Sequence, residues 1–174
     1  MNNSLRDKKV VIIGGSSGIG LAVAKLIAAE GAKITIASRT RERLEKAAAK
    51  IDGEVNIATI DTLDESSVKD CFSKLNDIDH LLNFAGDSMA GGVLDTDMAV
   101  ARNAMESKFW GQFYVGRYGG VKINPTGSLT LTGGSGPRPH QAIATVAANE
   151  AVRTLVEALA KELAPVRVNA ISPY

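Results

Sequence analysis

Along the chain, short apolar runs alternate with longer stretches in which apolar residues return every three or four positions. The runs KVVIIGG, KITIAS, EVNIATID, DHLLNFAG, GSLTLTGG and VRVNAIS read as strands. Between them GLAVAKLIAAEG, RERLEKAAAKI, ESSVKDCFSKL, a long stretch around MAVARNAMESKFWGQFYVGRY, and TVAANEAVRTLVEALAKEL read as helices. Strands separated by helices imply right-handed βαβ crossovers, and hence an α/β protein with a parallel sheet covered on both faces. The near-continuous apolar character of VVII and HLLN suits strands buried on both sides. No repeat of solenoid period and no low-complexity linker interrupts the pattern. The stretch GGSGPRPH, Gly133 to His140, is the evident flexible loop.

The last helical stretch has two faces. Val152, Leu155, Val156, Leu159 and Leu163 recur at helical spacing and are predicted to lie on the sheet. Ala144, Ala147, Ala151, Thr154 and Ala158 form a second stripe of small side chains. That stripe either packs within the monomer or lets a helix of a second subunit approach closely.

Composition narrows the class. A chain of 174 residues, 45% hydrophobic, is enough for one core, so a single domain spanning 1–174 is expected. With 20 Lys+Arg against 19 Asp+Glu the formal charge is +1, which gives no long-range attraction to nucleic acid or an anionic membrane. The start, MNNSLRDKK, has no apolar h-region, and every later apolar run is broken by charges or glycine before it could cross a bilayer. A soluble cytoplasmic protein without nucleic-acid or membrane partners is therefore expected. Cys71 has no second cysteine to pair with and no thiol cluster around it for a metal; its pattern places it at a half-buried helical position.

The chemistry begins at the first βα turn. Gly14, Gly18 and Gly20 stand between a strand and a helix, where a tight turn, a close backbone approach and strand–helix packing each disfavour a Cβ. The free N–H groups and dipole of the following helix suit an anion such as a pyrophosphate. The second strand ends Ala37-Ser38-Arg39-Thr40. An acid there would take the ribose hydroxyls of NAD, whereas Arg39 suits a 2′-phosphate, so NADP(H) is expected over NAD(H).

These features resemble the short-chain dehydrogenase/reductase family along the full chain. Ile13-Gly14-Gly15-Ser16-Ser17-Gly18-Ile19-Gly20 is similar to the family's T-G-x-x-x-G-x-G turn, with Ile13 in place of Thr. Asp61 looks like the acid that meets the adenine ring. Asn83-Phe84-Ala85-Gly86 is similar to N-N-A-G, and ELAPVRVNAISP to the motif of the sixth strand. The resemblance implies a Rossmann-type doubly wound sheet in the order 3-2-1-4-5-6, three layers deep, with dinucleotide at the carboxyl ends of the strands. It implies that Gly14, Ser16, Ser17, Gly18, Ile19, Gly20, Ser38, Arg39, Asp61, Thr62, Asn83, Ala85 and Gly86 hold the cofactor. It also implies a homo-dimer or tetramer built on the two long helices, and hydride transfer between the nicotinamide and a carbonyl or alcohol substrate. No metal is implied. The match ends at Ser172-Pro173-Tyr174, with Tyr174 where the family has Gly, so a sheet without the seventh strand and substrate roof is expected.

The family's catalytic pattern is altered. Alignment back from RVN puts Thr145 at the position of the general acid/base tyrosine and Asn149 at that of the lysine four residues later. A threonine hydroxyl titrates far above physiological pH and cannot cycle a proton as a lysine-assisted phenol does. The family's serine is represented by Thr132 or Ser135, and its asparagine by Lys108 in E-S-K-F-W-G. Lys108, if it points into the cleft, would lose charge by desolvation and donate a proton to the substrate with Thr132; otherwise it reaches solvent or a carboxylate. A divergent branch of the family is similar in carrying K-F-W-G and A-A-x-N. His140, Tyr114, Tyr118 and His80 read as loop or packing residues, and Asp64 as a helix cap. Two functions follow: an NADP(H)-dependent oxidoreductase, or a non-catalytic NADP(H)-binding or interaction protein on the same fold.

Overall fold

The computed structural model describes residues 5–134 and 139–173; Ser135 and Tyr174 lie outside the described residues. Six strands, β1 (Lys9–Ile13), β2 (Lys33–Ser38), β3 (Val55–Thr59), β4 (Ile78–Asn83), β5 (Ile123–Thr132) and β6 (Arg167–Ile171), form one sheet in the order β3-β2-β1-β4-β5-β6. Every pairing is parallel, and β1 lies between β2 and β4, with Ile13 opposite both Ala37 and Asn83. The order reverses beside β1. The carboxyl ends of β1 and β4 therefore diverge into connections on opposite faces and leave a crevice between them.

Six α-helices cover the sheet: α1 (Gly18–Ala29), α2 (Arg41–Ala48), α3 (Glu65–Ser73), α4 (Met98–Met105), α5 (Gly111–Gly120) and α6 (Ile143–Glu162). On one face Val10, Ile12, Ile34 and Ile36 pack with Ala24 and Ala28 of α1 and Leu44 and Ala47 of α2. On the other, Val11, Leu81, Leu129 and Leu131 pack with Val68, Cys71 and Phe72 of α3, Val115 of α5, and Val152, Leu155 and Leu159 of α6. Cys71 is thus a core residue, and burial raises its thiol pKa. The apolar face expected for α6 is the one it buries.

Burial varies along the sheet, with β1 almost wholly buried and β5 alternating. Along Gly127-Ser128-Leu129-Thr130-Leu131-Thr132 the leucines are buried and the hydroxyl residues only half-buried. In β6, Val168 is buried while Asn169, Ala170 and Ile171 are exposed. The alternation in β5 belongs to a strand covered mainly on one face, and α5 and α6 pack on β5 and β6.

Two further elements differ from the sequence reading. The long helix expected around 98–118 is interrupted by a π-helical turn, Glu106–Trp110, between α4 and α5. The small stripe on α6 does not pack inside the chain: Ala147, Thr154 and Ala158 are exposed, and Ala144 and Ala151 half-exposed. At the junction of the π-helical turn and α5, Trp110 stacks on Tyr114 with ring centroids 6.2 Å apart and is 38% exposed.

Candidate functional site

A cleft of about 350 Å³ opens at the carboxyl ends of the strands. Its floor is the turn after β1. Gly18 opens α1 at φ +53°, a left-handed conformation that side chains rarely adopt, and the space a Cβ would take there is open. Gly20 is bound to its type by contact, since a Cβ would overlap the carbonyl oxygen of Gly14. Ser17 precedes the helix without capping it through its side chain, and the first turn carries no acid. The opening N–H groups of α1 are therefore left without a local carboxylate, at the positive end of the helix dipole.

One end of the cleft is cationic. Arg39, Thr40 and Arg43 line it, and Arg43 Nη2 donates to Ser17 Oγ at 3.5 Å. The other cations of α2 are paired along the helix, Arg41 with Glu45 at 3.0 Å and Lys46 with Glu42 at 2.6 Å. Among the described residues neither Arg39 nor Arg43 makes an ion pair. Arg43 was missed by motif reading, although its spacing contains the signal: Ala47 and Arg39 stand four residues either side, so no acid meets it on the helix. Ser38, which also lines the cleft, keeps a buried hydroxyl without a hydrogen-bond partner among the described residues.

Beyond Ser38, Asp61 and Thr62 border the cleft after β3. Asp61 Oδ1 accepts from Leu63 N at 3.0 Å, which holds the carboxylate on the loop. Asp64 caps α3, the role its position predicts, and the bonds it accepts from Ser66 Oγ at 2.7 Å and Ser66 N at 2.9 Å lower its pKa.

The opposite end lies at β4 and β5, where Phe84, Ala85, Gly86, Asp87, Ser107 and Thr132 line the cleft. Asn83 does not belong to this lining. It is completely buried, donates from Nδ2 to Gln112 Oε1 at 2.9 Å and accepts at Oδ1 from Ala85 N at 3.0 Å. Its side chain is spent on holding the strand ends, unlike the cleft-lining residues expected beside it.

Thr132 also differs from expectation. Its hydroxyl lies 2.7 Å from the carbonyl oxygen of Asn83, and a carbonyl can only accept, so the hydroxyl hydrogen points inward. Toward the cleft Thr132 presents lone pairs, and in this geometry it does not polarise a carbonyl as a donor.

Thr145 is buried, and its hydroxyl both accepts from Met89 N and donates to Met89 O, each at 2.9 Å. Two residues on, Gly91 N donates to Gln141 O at 2.7 Å and Ile143 N to Gly91 O at 3.1 Å. The loop after β4 is therefore clasped to the start of α6 at the position where the family has its tyrosine. Asn149 is buried against Gly134, and its Oδ1 has no hydrogen-bond partner among the described residues.

Lys108 lies in the π-helical turn and is only 8% exposed. Its stem passes behind Gly86, and its neighbour Ser107, not Lys108 itself, borders the cleft and accepts from Asp87 N at 2.7 Å. Burial lowers the Lys108 pKa, and the charge of Asp87 partly opposes that shift. The reading in which Lys108 reaches solvent is thereby excluded. His140 is exposed, and His80 bonds through Nδ1 to Ser128 Oγ at 2.8 Å inside the sheet.

Comparison with known proteins agrees with this architecture. A family model described as Enoyl-(Acyl carrier protein) reductase matches residues 14–174. The chain is 35% identical over 190 residues to the short-chain dehydrogenase/reductase ATR9 of Stachybotrys chlorohalonatus, covering 98% of this chain and 74% of that protein. It is 30% identical over 191 residues to the 3-oxoacyl-[acyl-carrier-protein] reductase FabG of Chlamydia pneumoniae, covering 99% and 75%. A solved structure of a short chain dehydrogenase/reductase family protein superposes with a TM-score of 0.89 at 29% identity, over 97% of this chain and 74% of that one. Fold, crevice and sequence thus agree: the chain belongs to the short-chain dehydrogenase/reductase family of oxidoreductases, which bind a nicotinamide cofactor.

Proposed function

We propose that this protein is an NADP(H)-dependent reductase or dehydrogenase acting on a small carbonyl or alcohol compound. The observation that carries the cofactor preference is the pair Arg39 and Arg43, neither with an ionic partner, at one end of a cleft whose floor is a helix N-terminus. Two guanidinium groups facing a 2′-phosphate contribute about 1–4 kcal/mol each at 4 Å near a surface, enough to separate NADPH from NADH by tenfold or more. The orphan hydroxyl of Ser38 and the open space at Gly18 fit a nucleotide seated between them. Gly14, Ser16, Ser17, Gly18, Ile19 and Gly20 hold its phosphates in this reading, with Asp61 and Thr62 at the base and Ala85 and Gly86 along the nicotinamide half.

A bound nicotinamide supplies or accepts the hydride. In this reading Lys108, held behind Gly86 and next to the cleft-lining Ser107, would be the store of the proton that the carbonyl oxygen takes up on reduction, passed to the cleft by way of Ser107 or water. Its lowered pKa brings that transfer closer to neutral pH. Thr132 accepts a hydrogen bond from the alcohol or from the ammonium. The aromatic and small-residue surface of α5 and α6 joins two copies of the chain.

A second reading, a non-catalytic NADP(H)-binding protein, is favoured by one fact: the hydroxyls of Thr132 and Thr145 are both committed to backbone groups. Fluorescence titration with NADPH and NADH, followed by a hydride-transfer assay on a carbonyl panel, separates the two. NADPH is expected to bind at least about tenfold more tightly than NADH, and Arg39→Ala with Arg43→Ala to erase that difference. Lys108→Met is expected to slow turnover by about 10²- to 10⁴-fold. Binding without turnover selects the second reading, and a preference for NADH removes the role given to the arginines.

A further inference from the structure

Gln112, on the first turn of α5, belongs to no motif that the sequence brings forward, yet it is 1% exposed and fully engaged. Its Nε2 donates to Ala85 O at 3.3 Å and to Thr132 O at 3.2 Å, and its Oε1 accepts from Asn83 Nδ2. The orientation of the amide is determined by its surroundings. Two carbonyl oxygens face one end and can only accept, so the nitrogen must lie there and the oxygen must meet Asn83.

The remaining bonds close a network across the carboxyl ends of β4 and β5. Asn83 Oδ1 holds Ala85 N, and Asn83 O takes the hydroxyl hydrogen of Thr132. Ala85 and Thr132 are the residues of this network that line the cleft, and both lie at the end remote from Arg39 and Arg43. A buried amide is costly unless every group is paired, so this one specifies a single spacing between the two strand ends.

We propose that Gln112 is a positioning residue for the nicotinamide half-site. It sets Ala85 and Thr132 at a fixed separation and, through Asn83, keeps the Thr132 hydroxyl hydrogen turned inward so that lone pairs face the ligand. This rests on the cofactor reading above and deepens it, because it assigns the two halves of the cleft to different supports. The adenosine half rests on α1 and α2, and the nicotinamide half on a buried amide of α5.

Calorimetric titration of the full chain tests this with two probes. NADPH carries both halves, and adenosine 2′,5′-bisphosphate carries the adenosine phosphates without nicotinamide. Gln112→Met, similar in length and without polar atoms, is expected to raise the NADPH Kd about tenfold or more while the bisphosphate Kd stays within about twofold. Thr132→Val is expected to give the same split, and the double variant to be no worse than Gln112→Met alone, because both substitutions act on one network. Equal loss for both probes, or unchanged NADPH binding, overturns the proposal. If Gln112→Met does not fold, Gln112→Glu, which keeps the length and the acceptor for Asn83 and loses the amide donors to Ala85 O and Thr132 O, decides by the same criterion. A wild-type chain that binds neither probe overturns the cofactor reading and this proposal with it, whereas a failed split leaves the cofactor reading standing.

Discussion

Lys108 carries a charge into a helix wall where, among the described residues, no carboxylate comes within ion-pair distance. Its pKa is lowered, so in the pH range between the folded and unfolded values the folded chain binds fewer protons there. Stability contributed at this site therefore rises with pH through that range and levels off above a lysine's ordinary 10.5. Denaturant melts of wild type and Lys108→Met from neutral pH upward are expected to show the climb in wild type and its loss in the difference curve. Equal curves would mean that the ammonium is solvated. At this scale the sequence marked the position of Lys108 but not its burial, which depends on the π-helical turn that aims it behind Gly86. The same limit applied to Asn83 and Thr132. Motif spacing identifies the residue, while the direction of its hydrogen bonds is set by neighbours distant in the chain.

At the scale of elements, the loop after β4 and the start of α6 form one unit, joined by Thr145 to Met89 and by the backbone pairing of Gly91 with Gln141 and Ile143. Thr145→Val keeps the shape of the side chain and leaves the N–H and C=O of Met89 without their partner. Leaving buried backbone groups unpaired is expected to cost about 1–3 kcal/mol of stability, read as a lower denaturation midpoint at unchanged slope. A midpoint equal to wild type would show that water replaces the hydroxyl. The six strands, the helices and their order were legible because apolar period and turn chemistry agree locally along the chain. The π-helical turn was not legible, since its residues carry ordinary helical periodicity and one extra residue per turn leaves no compositional mark. One signal was present and unused: S-L-T-L-T in β5 alternates, which marks a strand covered on one face.

For the whole molecule, α6 leaves Ala147, Thr154 and Ala158 exposed, and the start of α5 leaves Trp110 partly exposed on Tyr114. Small side chains permit close helix approach, and the aromatics supply the buried area that association needs. Light scattering is expected to give a dimer or tetramer for wild type, and a smaller species for Ala158→Glu with unchanged circular dichroism. A monomeric wild type would remove this face from consideration. The sequence by itself determined the parallel sheet, the glycine turn, and the altered family pattern at Thr145, Asn149 and Lys108, because these depend on residue type and spacing; the strand order came from the family resemblance and is the one the fold has. The tertiary structure alone decided which polar groups are still available to a ligand. Hydrogen bonds are directional and close over distances that spacing does not encode, so only the folded chain commits Thr132, Thr145 and Asn83 inward and leaves Arg39 and Arg43 facing the cleft.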